Sequence, residues 1–200
     1  MNKKCFFLSV LAFAVIFFQN DIFAQAKGFY GTPYKDRNSG SFEKGANVVS
    51  IGYGIGNLNP YRLGYGYKRL NLGPIYLKYE KGIMDELGVG GFVSAAYSMA
   101  RYNGKTYSTG LAIGLGVMGF YHFNKFIPLE KLDVYAGIGF GIKYYGQSFK
   151  DNFNKGTTEF FPSPMVKIGA RYYLSNSFGV YIESGYDRLS NANIGISLKF

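Results

Sequence analysis

Between Thr109 and Tyr145 apolar side chains and small residues alternate with a period of two. Leu111, Ile113, Leu115 and Val117 share one parity, and Gly110, Ala112, Gly114 and Gly116 share the other. The alternation resumes with Val134, Ala136, Ile138, Phe140 and Ile142, set against Gly137, Gly139, Gly141 and Lys143. Period two is the strand period. A helical membrane span needs roughly 20 consecutive apolar residues, and glycine at every second position opposes a helix. The stretch therefore predicts two paired strands with one apolar face and one nearly bare face.

The same alternation predicts six more strands. Strand one covers 46–56, with Val49, Ile51, Tyr53 and Ile55 on its apolar face. Strand two covers 70–81, with Ile75, Leu77 and Tyr79 opposed to Tyr76, Lys78 and Glu80, and Pro74 marks a bulge or an early edge. Strand three covers 87–100, with Val89, Val93, Ala95, Tyr97 and Met99 on one face and Gly90, Phe92, Ser94 and Ser98 on the other. Strands six, seven and eight cover 163–174, 178–186 and 193–200. Polar stretches at 57–69, 101–108, 148–162 and 187–192 separate some of them, the second centred on the turn dipeptide Asn103-Gly104. Shorter links at 82–86, 124–132 and 175–177 separate the others.

Charge parity decides what the two faces meet. Lys78, Glu80, Lys143, Lys167, Arg171, Glu183 and Lys199 all fall on the glycine-bearing face, opposite the apolar one. In a soluble sheet the large apolar side chains point to a core and the outer face is polar. Here the continuous apolar face is left over, so lipid is expected to cover it, with the charges paired across a narrow lumen. The predicted fold is all-β: a single antiparallel up-and-down transmembrane β-barrel of about eight strands, spanning 46–200. Bulky inward residues such as Tyr76, Phe92, Tyr173 and Tyr181 need bare wall opposite them, and the glycines of strands four and five are expected to supply it. The alternative use of that wall is a small ligand cavity or a thin water path. Tyr97, Tyr144 and Tyr186 are expected to girdle one rim, and Tyr121, Phe123, Phe178 and Phe200 the other. With both termini periplasmic, short links lie inside and the longer loops outside.

Composition sharpens this picture. The chain has 28 glycines, 19% aromatic residues and no Trp, and its mean hydropathy of -0.03 argues against a helical membrane bundle. Transmembrane barrels sit near this value because their two faces cancel. Lys3 and Lys4, the apolar run from Phe6 to Phe18 and the small-x-small triplet Ala24-Gln25-Ala26 form a signal peptide over 1–24, with cleavage after Ala24 or Ala26. The single cysteine, Cys5, leaves with it, so the mature chain carries no disulfide or Cys-based metal site. Residues 27–45 lack periodicity and read as a flexible N-terminal segment that either hangs free or tucks into the barrel. The net charge of +10 admits nucleic acid or lipid phosphates as partners, and export argues against nucleic acid.

No catalytic, cofactor or metal residue is assigned. Gly52-Tyr53-Gly54-Ile55-Gly56 and Gly137-Ile138-Gly139-Phe140-Gly141 resemble dinucleotide loops superficially but sit inside strands with no following helix. His122, the only histidine, points inward near one end of strand four, where it reads as a polar rim or lumen residue. A serine hydrolase site would need it beside Ser94 or Ser98 and a carboxylate such as Glu183.

On these strands, and on Ile196, Leu198 and Phe200 as an alternating C-terminal assembly signal, the chain resembles the small eight-stranded outer-membrane proteins of the OmpX, OmpA-barrel and OmpW type. The glycine- and tyrosine-rich barrel-domain proteins of Bacteroidetes resemble it most. With nothing after Phe200, no peptidoglycan-binding domain is expected. The resemblance implies location in the outer membrane of a Gram-negative bacterium, and a monomer delivered by periplasmic chaperones and the barrel-assembly machinery. It implies outer-membrane lipid and lipopolysaccharide as partners and no cofactor. A non-enzymatic role follows: envelope structure, adhesion through the loops, or lipopolysaccharide contact through Arg62, Lys68, Arg69, Arg101 and Lys105. A narrow pore for small or hydrophobic solutes is the alternative, and a lipid A-modifying enzyme a more distant one.

Overall fold

The computed structural model describes residues 41–55, 68–127, 129–150 and 156–200. The expected signal peptide with its two candidate cleavage points, residues 27–40 of the expected N-terminal segment and Arg62 lie outside the described residues. Eight strands form: β1 (Asn47–Ile55), β2 (Lys68–Gly82), β3 (Leu87–Tyr102), β4 (Lys105–His122), β5 (Leu132–Phe149), β6 (Thr157–Tyr173), β7 (Phe178–Tyr186) and β8 (Ala192–Lys199). Each pairs antiparallel with the next, and β8 closes on β1 from Val48↔Lys199 to Ile55↔Ala192. Closure leaves no sheet edge within the membrane band, the condition for backbone to cross lipid.

The parities hold on every strand. Apolar side chains such as Ile51, Leu77, Val117, Ile138 and Ile168 stand outside and exposed, while Tyr76, Phe92, Tyr173 and Tyr181 are buried inside. An exposed apolar skin over all eight strands is far larger than soluble monomers show, and it marks the lipid-facing surface. Register breaks in β2 between Leu72 and Ile75, placing a bulge at Pro74, and Gly73 there has φ +89°, a left-handed conformation that favours glycine.

Two loops are shorter than the pattern predicts. Asn103 and Gly104 both have positive φ (48° and 77°), the geometry of the tightest hairpin turn, so β3 and β4 run on until only these two residues remain between them. β6 begins at Thr157 rather than 163, although Pro162 and Pro164 interrupt its donors. β7 pairs with β6 only as far as Val166↔Tyr186, so this part of β6 is an edge, where proline is tolerated.

The wall is therefore uneven. Strand β4 has 18 residues. At a tilt of about 40° such a strand rises roughly 45 Å, against an apolar band of about 25 Å. β7, β8 and β1 have 9, 8 and 9 residues, close to the minimum for crossing. Strands β3 to β6 stand well past the band at the end away from Asn47 and Phe200, here called the far rim, the end holding those two residues being the terminal end.

Candidate functional site

All seven lumen residues read from the sequence point inward, and they separate into layers. At the terminal end, Glu80, Arg171 and two further residues, His122 and Asp133, form a closed ring. His122 Nδ1 meets Asp133 Oδ1 at 2.7 Å and its Nε2 meets Glu80 Oε1 at 2.6 Å. Arg171 donates from Nη1 to Asp133 Oδ2 (2.8 Å) and from Nη2 to Glu80 Oε2 (3.0 Å). Each carboxylate accepts from Arg171 through its other oxygen, so each imidazole nitrogen faces an acceptor and donates to it. His122 thus carries both protons, and the ring is neutral: two cations against two carboxylates.

Below the ring lies Phe42, which stacks on His122 with ring centroids 3.5 Å apart and planes 5° from parallel. Asn124 Nδ2 donates to the Phe42 carbonyl (2.7 Å), and Lys199 Nζ donates to that of Ser41 (2.9 Å). The described end of the N-terminal segment therefore tucks into the barrel and closes its mouth.

In the middle layer Lys78 Nζ donates to Glu183 Oε2 at 2.7 Å, and Tyr135 Oη donates to Glu183 Oε1 at 2.8 Å. Tyr76, Phe92, Met118, Phe120, Tyr135 and Met165 pack as an apolar core beside them. The inward face of β4 is thus bare only as far as Gly116; from Met118 onward it is bulky. The void left between these groups is about 10 Å³, room for about one water and no larger ligand.

The far layer is built on Asp187, in the turn after β7. It accepts from Tyr76 Oη (2.6 Å), Lys167 Nζ (2.9 Å) and the backbone amides of Leu189 and Ser190 (both 2.8 Å), with Lys143 Nζ at 3.9 Å. Burial pushes the Asp187 carboxyl up, but the ammonium groups of Lys143 and Lys167 and its hydrogen bonds outweigh burial and hold it below the usual carboxylate range. The expected outer loop 187–192 thus folds into the lumen, with Leu189 packed on Ala96 and Ala112.

The glycines make room, but for neighbouring strands more than for the opposite wall. A side chain at Gly116 would strike Phe92 on adjacent β3, and at Gly52 or Gly195 it would strike Tyr181 of β7. The large rings lean over the strand beside them or the next but one, so the expected wall of β4 and β5 serves Phe92 alone of the four. The predicted girdle residues lie outside the lumen; Tyr121 meets Phe123 edge-on at 5.2 Å, and Tyr144 meets Phe160 at 5.3 Å.

The hydrolase constellation does not assemble. Both nitrogens of His122 are held by carboxylates, Ser94 lies against the Gly114 carbonyl, and Glu183 is bound by Lys78 and Tyr135. Among the described residues no group of His, Cys, Asp and Glu is placed to hold a metal ion.

The rims differ in charge. Among the described residues the terminal end carries Lys44, Lys81, Lys125 and Lys131 against Glu43, Asp85, Glu86 and Glu130, an even balance. Lys125 pairs with Glu86 there. The far rim carries Lys68, Arg69, Arg101, Lys105, Lys150 and Arg188 against Glu159 alone. Strand register sets Lys68 opposite Arg101 and Tyr102 opposite Lys105, which gathers three of the basic residues noted in the sequence.

No family model matches the chain, and no curated protein matches it. Among solved structures, the outer membrane protein OprG from Pseudomonas aeruginosa superposes with a TM-score of 0.53 at 12% identity, covering 81% of this chain and 98% of that one. Ail, the attachment invasion locus protein of Yersinia pestis, gives 0.49 at 15% identity over 78% and 99% of the two chains. The N-terminal β-barrel domain of Pseudomonas aeruginosa OprF gives 0.47 at 12% over 79% and 98%. The chain has the fold of the small eight-stranded outer-membrane barrels.

Proposed function

We propose that this protein is a non-enzymatic outer-membrane barrel with a structural lumen, whose far rim faces outward and contacts lipopolysaccharide phosphates. The observation that supports this reading most directly is the partition of charge. Among the described residues the terminal end is balanced and the lumen sets six cations, His122 included, against four carboxylates, so most of the basic surplus gathers at the far rim, at the ends of β2 to β5 and in the turn after β7. Each basic side chain near an anionic headgroup contributes about 1 kcal/mol. Replacing Arg62, Lys68, Arg69, Arg101 and Lys105 together with Gln should weaken lipopolysaccharide binding and flatten its salt dependence. Unchanged binding at low salt rejects the role.

The pore reading is weakened by the packed middle layer, where the void among Tyr76, Phe92, Met165 and Glu183 has room for about one water. Adhesion is favoured as a second role by the height of the β3–β4 and β5–β6 hairpins, which carry backbone and side chains beyond the headgroups.

A further inference from the structure

The lipid-facing surface is not smooth. Across β2 to β5 runs a groove of about 870 Å³, and it exists because two outward positions, Gly91 and Gly119, have no side chain. A Cβ on Gly119 would meet nothing within 4 Å. Val117 and Ile138, 68% and 70% exposed, form its walls. A second groove of about 440 Å³ adjoins it, sharing Tyr79 and Gly91.

The groove has a direction. Its residues lie in the register row Lys81↔Val89↔Gly119↔Ile138 and the neighbouring row Tyr79↔Gly91↔Val117↔Phe140. Lys81 is next to the last residue of β2 at the terminal rim, whereas Ile138 lies well inside β5. Barrel shear thus makes the rows climb from the rim toward the middle of the apolar band over roughly 14 Å, about three strand spacings.

Chemistry changes along that climb. Lys81 is the one charged residue lining the groove, it is exposed, and among the described residues it has no ion-pair partner. Beside it the Tyr79 hydroxyl donates to Asn47 Oδ1 at 2.7 Å, fixing the ring at the interface. Above them the lining is apolar. A cation at the headgroup level below an apolar channel that rises into the hydrocarbon complements an amphiphile with a phosphate head.

We propose that this groove is a binding site for one phospholipid of the leaflet at the terminal end, its phosphate on the Lys81 ammonium and one acyl chain lying over Gly91 and Gly119. The proposal rests on the barrel standing in a bilayer. Packing, not water exclusion, selects among lipids on such a surface, because the competing lipid tails are equally apolar. Shape at the two glycines and charge at Lys81 therefore carry the preference.

The test is native mass spectrometry of the full chain, folded in detergent and titrated with phosphatidylglycerol or with diacylglycerol of the same acyl chains. Wild type should take up one phosphatidylglycerol in preference to diacylglycerol. Lys81→Gln should lower phosphatidylglycerol occupancy about fivefold, the contribution of one cation near a headgroup, and remove the preference. Gly119→Leu should abolish uptake of both lipids, while Ile182→Leu on β7, across the barrel from the groove, should bind as wild type. Heat-modifiable gel migration confirms that each variant is a folded barrel, and a variant that loses it leaves the other to decide. Absence of an adduct on wild type, equal occupancy in Lys81→Gln and Gly119→Leu, or a dimer in place of the lipid adduct overturns the proposal. The lipopolysaccharide assay at the far rim is unaffected by either result.

Discussion

The ring of Glu80, His122, Asp133 and Arg171 makes the sharpest prediction about what holds the barrel together. All four side chains are at most 4% exposed, so a charge left there without its partner has no water to turn to. Arg171→Met leaves two carboxylates against one imidazolium, and Glu80→Gln leaves two cations against one carboxylate. Breaking a buried pair by removing one partner costs about 3–5 kcal/mol, so each single substitution should cost that much. The double variant is different: Asp133 and His122 remain as a neutral pair, and the amide oxygen that Glu80→Gln introduces still accepts from His122 Nε2. Its loss should fall short of the sum of the two by about 2 kcal/mol, as expected of coupled neighbours. Urea unfolding in phospholipid vesicles, followed by folded-band migration and tyrosine fluorescence, measures all three, there being no Trp to report. Single costs below about 1 kcal/mol, or additivity within about 0.5 kcal/mol, would falsify the closed ring.

Phe42→Ala removes a ring that is 1% exposed and stacked on His122. It should lower stability by about 3 kcal/mol in the same urea assay, the cost of deleting a buried phenyl group. In planar bilayers the variant should stay as silent as wild type, because the charged ring above Phe42 still blocks the lumen; stepwise conductance in either protein refutes the filled lumen. Asp187 is held below its ordinary range in the folded state, so the stability it contributes is present above the unfolded value of about 3.9 and is lost as pH falls through the lower folded value. Asp187→Asn should therefore be less stable than wild type at neutral pH, with the gap closing below about pH 4. A gap that stays constant down to about pH 2 contradicts the assignment.

The strand count, the two faces and the closed antiparallel order were legible in the sequence because lipid on one side and a crowded lumen on the other impose strict alternation. Asp133 was missed although it lies on the inward parity between Leu132 and Val134, because it sits at a strand start, where the pattern had not yet established itself. Asp187 had an indirect signal. The seven lumen residues named from parity comprise five cations and two carboxylates, an imbalance that a buried site does not support. Nothing in Asp187-Arg188-Leu189-Ser190 says that the turn folds inward; that follows from Lys143 and Lys167 reaching up from β5 and β6. Phe42 was hidden for a similar reason, because local sequence cannot show that a histidine so far along the chain offers it a ring face. The extra length of β4 and β6 was missed because polar residues beyond the lipid band keep the ladder but lose the apolar alternation that marks it.

The placement of charge and of empty space assigns the two halves of this molecule different work. Inside, the groups that could have been reactive are committed: His122 donates both protons to carboxylates, Glu183 holds Lys78 and Tyr135, and Asp187 holds Tyr76 and Lys167. Both mouths are occupied by the chain itself, one by Phe42 and the other by the turn at 187–191. A lumen organised this way resists change, since each layer is neutral or nearly so only with all its members present. Outside, the constraint is looser. Any apolar residue satisfies the lipid-facing positions, so the absence of side chains at Gly91 and Gly119 and the excess of cations at the far rim are not demanded by the fold. Features that stability does not require are where selection for binding leaves its mark. That places the search for this protein's role on its skin and its taller rim, and away from its interior.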